Sequence, residues 1–348
     1  MTRRIRLKTY VQVSDLHFGD IDPATFYSVA PTYWSNSECF DGLLGHEYVA
    51  LQRLTKFFRD MRKSEQAELL VSGDLTSMGK VDQFNSANDF LKSKLRPPKG
   101  QVGLGVSNWQ EKAIPGNHDY FCGVVNWTGG PILGGPTPGL TQYFPNLPFA
   151  SPRIPLPPTP AVLRFVGIDT DAGNWRYGWN RLWARGSFVN QLTAAQALLG
   201  PPAEDEIRVL LLHHSRRCSG FMLCIDNQSR SALDRFLIQS DISVLLSGHK
   251  HRPFIDHFPL TSAAPPRAMD VMEARCGTTT QRNVVPLNWF NLLGLPPNRS
   301  WPPNTLLVHR LFEERGTIRW TTETYTRTTY RFKILGPTGS LQVWPRPR

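Results

Sequence analysis

The chain is 348 residues long, 40 % hydrophobic and 19 % charged, which places it among globular proteins and makes it long for one domain and short for three. No charged or Gly/Ser-rich tether divides it, so a single elaborated domain over residues 1–348 is expected, and no stretch reaches the ~18 apolar residues of a membrane helix. The net charge of +11, from 39 basic against 28 acidic residues, favours anionic ligands, but the basic residues form no stripe interleaved with aromatics, which leaves nucleic acid possible and not favoured.

Hydrophobic periodicity predicts a strand over residues 5–14 and an amphipathic helix over 47–63 carrying Val49, Leu51, Leu54, Phe57, Phe58 and Met61. A strand over 67–72, a helix over 81–95 and a strand over 110–115 come next. The alternation resumes with a strand at 161–168, a helix at 189–199, a strand at 206–213, a helix at 229–239 and a strand at 242–247. Residues 305–312 and 317–331 read as a final hairpin turning at Glu313-Glu-Arg-Gly316. Helices placed between strands cover sheet faces, so the pattern predicts a layered α/β sandwich rather than a barrel or a bundle.

Three segments rich in Pro, Gly and aromatics interrupt this scheme: 19–46, 121–160 and 261–304. Their aromatics include Tyr33-Trp34, Trp127, Tyr143-Phe144, Phe149, Trp289-Phe290 and Trp301. Loops this long either wall a site or are pinned to the core by such side chains, and the sequence leaves both open. The run Pro152 to Pro160 reads as a stiff connector.

Four fragments occur in order: Asp15-Leu-His17, Gly73-Asp74, Gly116-Asn117-His118-Asp119 and Gly248-His249-Lys-His251, with the pair His213-His214 before the last. Each ends an apolar run, so ligand-type side chains stand where buried strands meet loops, the place where open α/β sheets keep their chemistry. In an extended chain residues i and i+2 point the same way, so Asp15 with His17, and His249 with His251, are expected to chelate in pairs. With Asp74, Asn117 and His213 they make a carboxylate, amide-oxygen and imidazole set that suits manganese, iron, zinc, cobalt or nickel. Seven such residues exceed one ion's needs and suit two sharing a carboxylate, the arrangement that clamps an in-line displacement.

These blocks resemble the calcineurin-like metallophosphoesterase family, in its bacterial phosphodiesterase-like branch, from about residue 10 to 255. The resemblance implies two packed mixed sheets flanked by helices, with two divalent ions at the strand ends. It implies that Asp15, His17 and His251 hold one ion, that Asn117, His213 and His249 hold the other, and that Asp74 bridges. It implies further that His118 stands over the scissile phosphate as proton donor or charge stabiliser, with Asp119 orienting it. His214 is expected beside the ligands as a supporting donor within reach of substrate.

The second block also departs from a family pattern. Protein serine/threonine phosphatases carry Asp and Arg where this chain has Ser77 and Met78 in Gly73-Asp-Leu-Thr-Ser-Met-Gly79. The arginine that grips a phosphate dianion is therefore missing, which points to small phosphodiesters of the cyclic-nucleotide or glycerophosphodiester type. A nuclease of the same superfamily and a phosphomonoesterase are the alternatives. Arg216-Arg217, three residues past His213, either reach a substrate phosphate or form ordinary solvated surface. Five cysteines, odd in number and without C-x-x-C spacing, argue against a disulfide framework, and the N-terminus enters the first strand without a signal-type apolar stretch, so a cytoplasmic location is expected. The oligomeric state is not legible.

Overall fold

The computed structural model describes residues 4–22, 26, 45–77, 79–97, 101–120, 138–173, 185–218, 224–263, 266–281 and 303–345. In chain order the elements begin with β1 (Ile5–Val13), α1 (Tyr48–Glu65), β2 (Glu68–Ser72), α2 (Val81–Leu91) and β3 (Ala113–Ile114). A short α3 (Pro138–Tyr143) leads to β4 (Phe149–Ala150), β5 (Ile154–Pro155), β6 (Val162–Gly167), α4 (Val189–Leu199) and β7 (Glu206–Leu211). The remainder comprises α5 (Asn227–Ser240), β8 (Ile242–Ser247), β9 (Phe254–Ala263), β10 (Pro266–Arg275), β11 (Thr305–Glu314), β12 (Thr317–Arg327) and β13 (Phe332–Trp344).

Two mixed sheets result. One runs β13-β12-β11-β1-β2-β3, and the other β4-β6-β7-β8-β10-β9 with β5 also on β6. The inner strands β1, β2 and β3 pair in parallel, as do β6, β7, β8 and β10, while β11, β12 and β13 of the first sheet and β4, β5 and β9 of the second add on antiparallel. Strands β7 and β8 are buried throughout, so Ile207 to Leu211 and Ile242 to Leu246 read as near-continuous apolar runs, as parallel strands covered on both faces must.

Three apolar layers fill the spaces between four structural layers. Leu51, Leu54 and Phe58 of α1 and Phe84 and Phe90 of α2 pack on the first sheet with Val11 and Val71. Tyr10, Phe165, Leu246 and Trp320 lie between the sheets, and Leu192, Leu233 and Leu237 cover the second sheet from outside. In α1 the buried residues recur at helical spacing, and the helix stops at Gln66, whose left-handed backbone (φ 53°) returns its N–H to Arg62 O. In α5 the Asp226 carboxylate caps the first turn by accepting the Ser229 N–H at 2.7 Å. No helix among the described residues is long and apolar enough to cross a membrane.

Most expected elements stand where the sequence placed them, and the exceptions have physical causes. The expected strand at 110–115 is a 3-10 turn, Trp109–Lys112, followed by two strand residues. The final hairpin is a three-stranded meander. Its last strand was hidden by Gly336-Pro337, yet β13 lies on the sheet edge and the pairing jumps from Glu323↔Thr338 to Tyr325↔Ile334, bulging out the residues that cannot continue the ladder. Likewise β9 holds Pro259 on an edge, and with β10 it turns the start of the segment read as irregular, 261–304, into a hairpin.

Of the loop aromatics, Tyr143 and Phe144 are buried against Phe84 and Trp109, with ring centroids 5.6 to 6.5 Å apart, so here the pinning role holds. Phe149 packs against the layer between the sheets. Tyr33, Trp34, Trp127, Trp289, Phe290 and Trp301, and Met78, lie outside the described residues.

Candidate metal centre

Five of the seven expected ligands occupy the left-handed region of backbone space: Asp15 (φ 52°), His17 (50°), Asp74 (52°), His249 (74°) and His251 (54°). Such a conformation costs a non-glycine residue roughly 1–3 kcal/mol, and it corrects the expectation of extended i, i+2 pairs. The paired side chains still converge, but through tight turns rather than strand alternation. Gly73 (φ 100°) needs its freedom twice over, because a Cβ there would also run into the His213 ring, and a Cβ on Gly116 would collide with Asp74.

The turns are stitched to one another by backbone hydrogen bonds. Asp15 N–H donates to Gly73 O (3.0 Å), His17 N–H to Asp74 O (3.1 Å) and Gly248 N–H to His213 O (3.0 Å). A third support is Thr278-Thr279-Thr280, all buried. Thr278 Oγ1 donates to Asp15 O at 2.9 Å, Thr279 N–H to Ser14 O at 3.0 Å and Thr280 Oγ1 to Leu16 O at 2.6 Å. Sequence reasoning missed this brace, although a run of three buried threonines after a glycine is a signal that could have found it.

The side chains form two groups that share one carboxylate. Ligand atoms of Asp15, His17, Asp74 and His251 lie within 4.8 Å of one another, as do those of Asp74, His213 and His249. Asn117 joins the second group, its Oδ1 2.8 Å from His249 Nδ1 and 3.2 Å from His213 Nε2. Asp15 Oδ1 and Asp74 Oδ2 are buried oxygens with no well-directed hydrogen bond, the nearest ring nitrogens being His251 Nε2 at 3.2 Å and His213 Nε2 at 3.1 Å. Ring nitrogens also face each other, His17 to His251 at 3.3 Å and His213 to His249 at 3.2 Å. Orphaned oxygens and opposed nitrogens at one point are what a divalent cation satisfies, and the donor mix fits a borderline metal.

The electrostatics agree. Burial alone would raise the Asp15 and Asp74 carboxyls, but the imidazoles around them, His251 for Asp15 and His213 for Asp74, win and hold both below the usual carboxylate range. Burial and neighbouring imidazoles drive His17 and His249 well down, so both are neutral. Burial opposes protonation of His213 and His251 too, but the facing carboxylates Asp74 and Asp15 overcome it and raise both. Ionised carboxylates and neutral imidazoles are the ligating forms, and a cation takes the place of the shared protons.

His118 belongs to neither group. Its ring lies 4.8 Å from that of His17, edge to face, its Nδ1 is 2.9 Å from Ser77 O, and its backbone N–H donates to Asp74 Oδ1 at 2.8 Å. Asp119, expected to orient His118, lies with it in the 3-10 turn Asn117–Asp119. Its carboxylate accepts from the N–H groups of Leu75 (3.2 Å), Thr76 (2.9 Å) and Gly116 (3.0 Å), so it braces two ligand turns, while the Ser77 carbonyl faces His118 Nδ1. Burial and the nearby Asp74 charge push the Asp119 carboxyl up to about 7.

Arg216, Arg217 and His214 all have partners within the fold. Arg216 grips Asp234 of α5 with Nε at 2.5 Å and Nη2 at 2.9 Å above the Phe258 ring, and Arg217 pairs with Asp256 of β9 at 2.5 Å. His214, expected as a supporting donor, is buried behind His249, ring centroids 4.1 Å apart, with Nδ1 2.8 Å from Thr170 Oγ1.

Among solved structures the chain is similar to GAP50, the anchor in the inner membrane complex of Plasmodium, at 12 % identity with a TM-score of 0.48, covering 97 % of this chain and 90 % of that one. It is similar to PhoD at 9 % identity and 0.49, covering 98 % and 69 %. The calcineurin-like phosphoesterase YfkN from Bacillus subtilis shows 10 % identity and 0.38, covering 99 % and 91 %. No curated protein matches the chain. Overlaps this loose carry no argument, and the assignment rests on a family model, calcineurin-like phosphoesterase, that matches residues 8–253 and so every block described above. The chain belongs to the calcineurin-like phosphoesterase family, phosphoric ester hydrolases built on a dinuclear divalent metal centre.

Proposed function

We propose that this phosphoesterase hydrolyses small phosphodiesters, of the cyclic-nucleotide or glycerophosphodiester kind. One ion would be held by Asp15, His17, Asp74 and His251 and the other by Asp74, Asn117, His213 and His249. Bound there, the pair supplies Lewis acidity and a water acidified to a pKa of about 7. The observation that carries this reading is the pair of ligand groups meeting at Asp74, with His118 beside both and inside neither.

The protein's own groups do the rest. With Nδ1–H directed to the Ser77 carbonyl, the His118 ring has Nε2 as the atom that holds a proton for the departing oxygen. Asp119 fixes the turn that presents it, and His214 fixes His249.

Diester preference is supported by what surrounds the centre. Ser77 occupies the stretch where a protein phosphatase carries its Asp-Arg pair, and its hydroxyl donates to His17 O at 2.9 Å, while Arg216 and Arg217 are committed to Asp234 and Asp256. Such a site grips a dianion poorly and suits a monoanionic diester. The test compares kcat/KM on bis-p-nitrophenyl phosphate, p-nitrophenyl phosphate, a phosphopeptide and single-stranded DNA. The diester is expected to lead. A lead for the phosphopeptide or monoester overturns the diester reading, and a lead for DNA replaces it with a nuclease.

A further inference from the structure

Strand β10 alternates cleanly. Met272, Ala274 and Cys276 belong to the layer between the sheets and Val271 to the outer layer, so Glu273 and Arg275 stand on the outer face together. The parallel register sets Arg275 beside Ser247, one residue before the Gly248-His249-Lys-His251 turn. Neither residue belongs to a motif.

Glu273 is completely buried. Its Oε1 accepts the Arg216 N–H at 3.2 Å and the Ser247 hydroxyl at 2.9 Å, and its Oε2 accepts the Arg217 N–H at 3.2 Å. A buried carboxylate is expensive, and two consecutive amides aimed at its two oxygens explain why an acceptor-only side chain sits there. Arg275, two residues on, donates Nε–H to the carbonyl of Arg252, the residue after His251, at 3.1 Å, and its Nη1 lies 3.4 Å from Ser215 Oγ. Its guanidinium lies over Phe254, 5.0 Å from the ring centroid.

We infer that Glu273 and Arg275 are positioning residues that staple the His213 turn to the His249–His251 turn. Residues 215–217 begin two positions after His213, so Glu273 fixes the exit of one ligand turn and ties it to the end of β8. Arg275 joins that same exit, at Ser215, to the exit of the other turn, at Arg252. The staple therefore sets the separation between the ligands of the second ion and His251 of the first, acting through backbone and not through contact with substrate. This inference rests on the two-ion reading above.

The test measures Mn2+ affinity of the full chain by competition with a chromophoric chelator, beside the melting temperature of the metal-free protein. Glu273→Gln keeps the shape and turns an NH2 against an amide N–H. Both Glu273→Gln and Arg275→Ala are expected to weaken binding about 10- to 100-fold, the usual cost of losing a partner behind a ligand. Asp270→Asn, at an exposed carboxylate of the same strand, is expected to match the parent. Methylguanidinium is expected to restore part of the affinity of Arg275→Ala, which a general loss of stability would not allow. Should Glu273→Gln fail to fold, the partly exposed Arg275 carries the test alone. A parent that loads two ions while both variants bind within twofold of it overturns the staple and leaves the metal centre standing. A parent that binds no ion overturns the metal centre, and the staple with it.

Discussion

Among the described residues, two of the buried polar clusters are finished differently. Around His309, between the sheets, every ring nitrogen has a partner: Nδ1 lies 2.8 Å from Thr322 Oγ1 and accepts from Trp320 Nε1 at 3.2 Å, and Nε2 lies 2.9 Å from Gln12 Oε1. Gln12 passes its own N–H groups to Ser72 Oγ at 2.7 Å and Ser247 O at 2.9 Å. At the ends of the same strands the ligand cluster leaves Asp15 Oδ1 and Asp74 Oδ2 without a directed donor and sets five residues in left-handed backbone. A structural network closes on itself, whereas a metal-binding cluster directs donor atoms at a common point and holds them there with strained backbone.

The largest effect belongs to the shared carboxylate. Asp74→Asn is expected to bring phosphoesterase turnover to background with the fold intact by circular dichroism, because a neutral amide cannot balance two dications. Retained turnover would mean that the open cluster is not the reacting centre.

His118 comes next, since it stands at the cluster without belonging to it. His118→Ala is expected to lower kcat by about 10² to 10⁴-fold on substrates with alkoxide leaving groups, with unchanged metal content. For p-nitrophenolate, which leaves without a proton, the loss should shrink. An equal loss on both substrates would assign His118 to electrostatic support.

The closed network predicts a pH effect on stability. Burial first, and the Arg310 charge second, lower His309 from its ordinary 6.5 to about 3. Between those values the unfolded chain binds a proton that the folded chain refuses, so this contribution is whole above pH 6.5 and fades as pH falls toward 3. From pH 7.5 to 5.0 the parent should lose about 1–2 kcal/mol more urea stability than His309→Gln. Parallel curves would show that His309 does not titrate in this way. The smallest effect is expected at Arg217, whose ion pair with Asp256 is solvent-facing: Arg217→Ala should change stability by less than ~1 kcal/mol and leave kcat/KM unmoved. A marked rise in KM would return it to the substrate.

What could be read from sequence divides along the same line. The ligand turns were legible because metal chemistry demands few residue types, and Asp15, His17, Asp74, Asn117, His213, His249 and His251 all come together. Left-handed turns carried five of them there, which spacing alone could not show. Contacts made across strands left no trace in spacing: Glu273 with residues 216 and 217, Thr278 with Asp15, and Arg216 with Asp234. The hydrogen bonds by which the Asp119 carboxylate braces Leu75, Thr76 and Gly116 are likewise made in space and invisible in spacing. Strands β9 and β13 were obscured by Pro259 and Gly336-Pro337, residues that only an edge strand tolerates.

A dinuclear centre here requires Asp74 to serve two ions at once. Its most direct test is the number of divalent ions bound per chain after metal-free protein is reconstituted with Mn2+ or Zn2+ and freed of excess, counted by elemental analysis for the parent and for Asp74→Asn. Two ions in the parent, and fewer in the variant, are the predicted result. A parent that holds one ion or none, or a variant that still holds two as tightly, would contradict it.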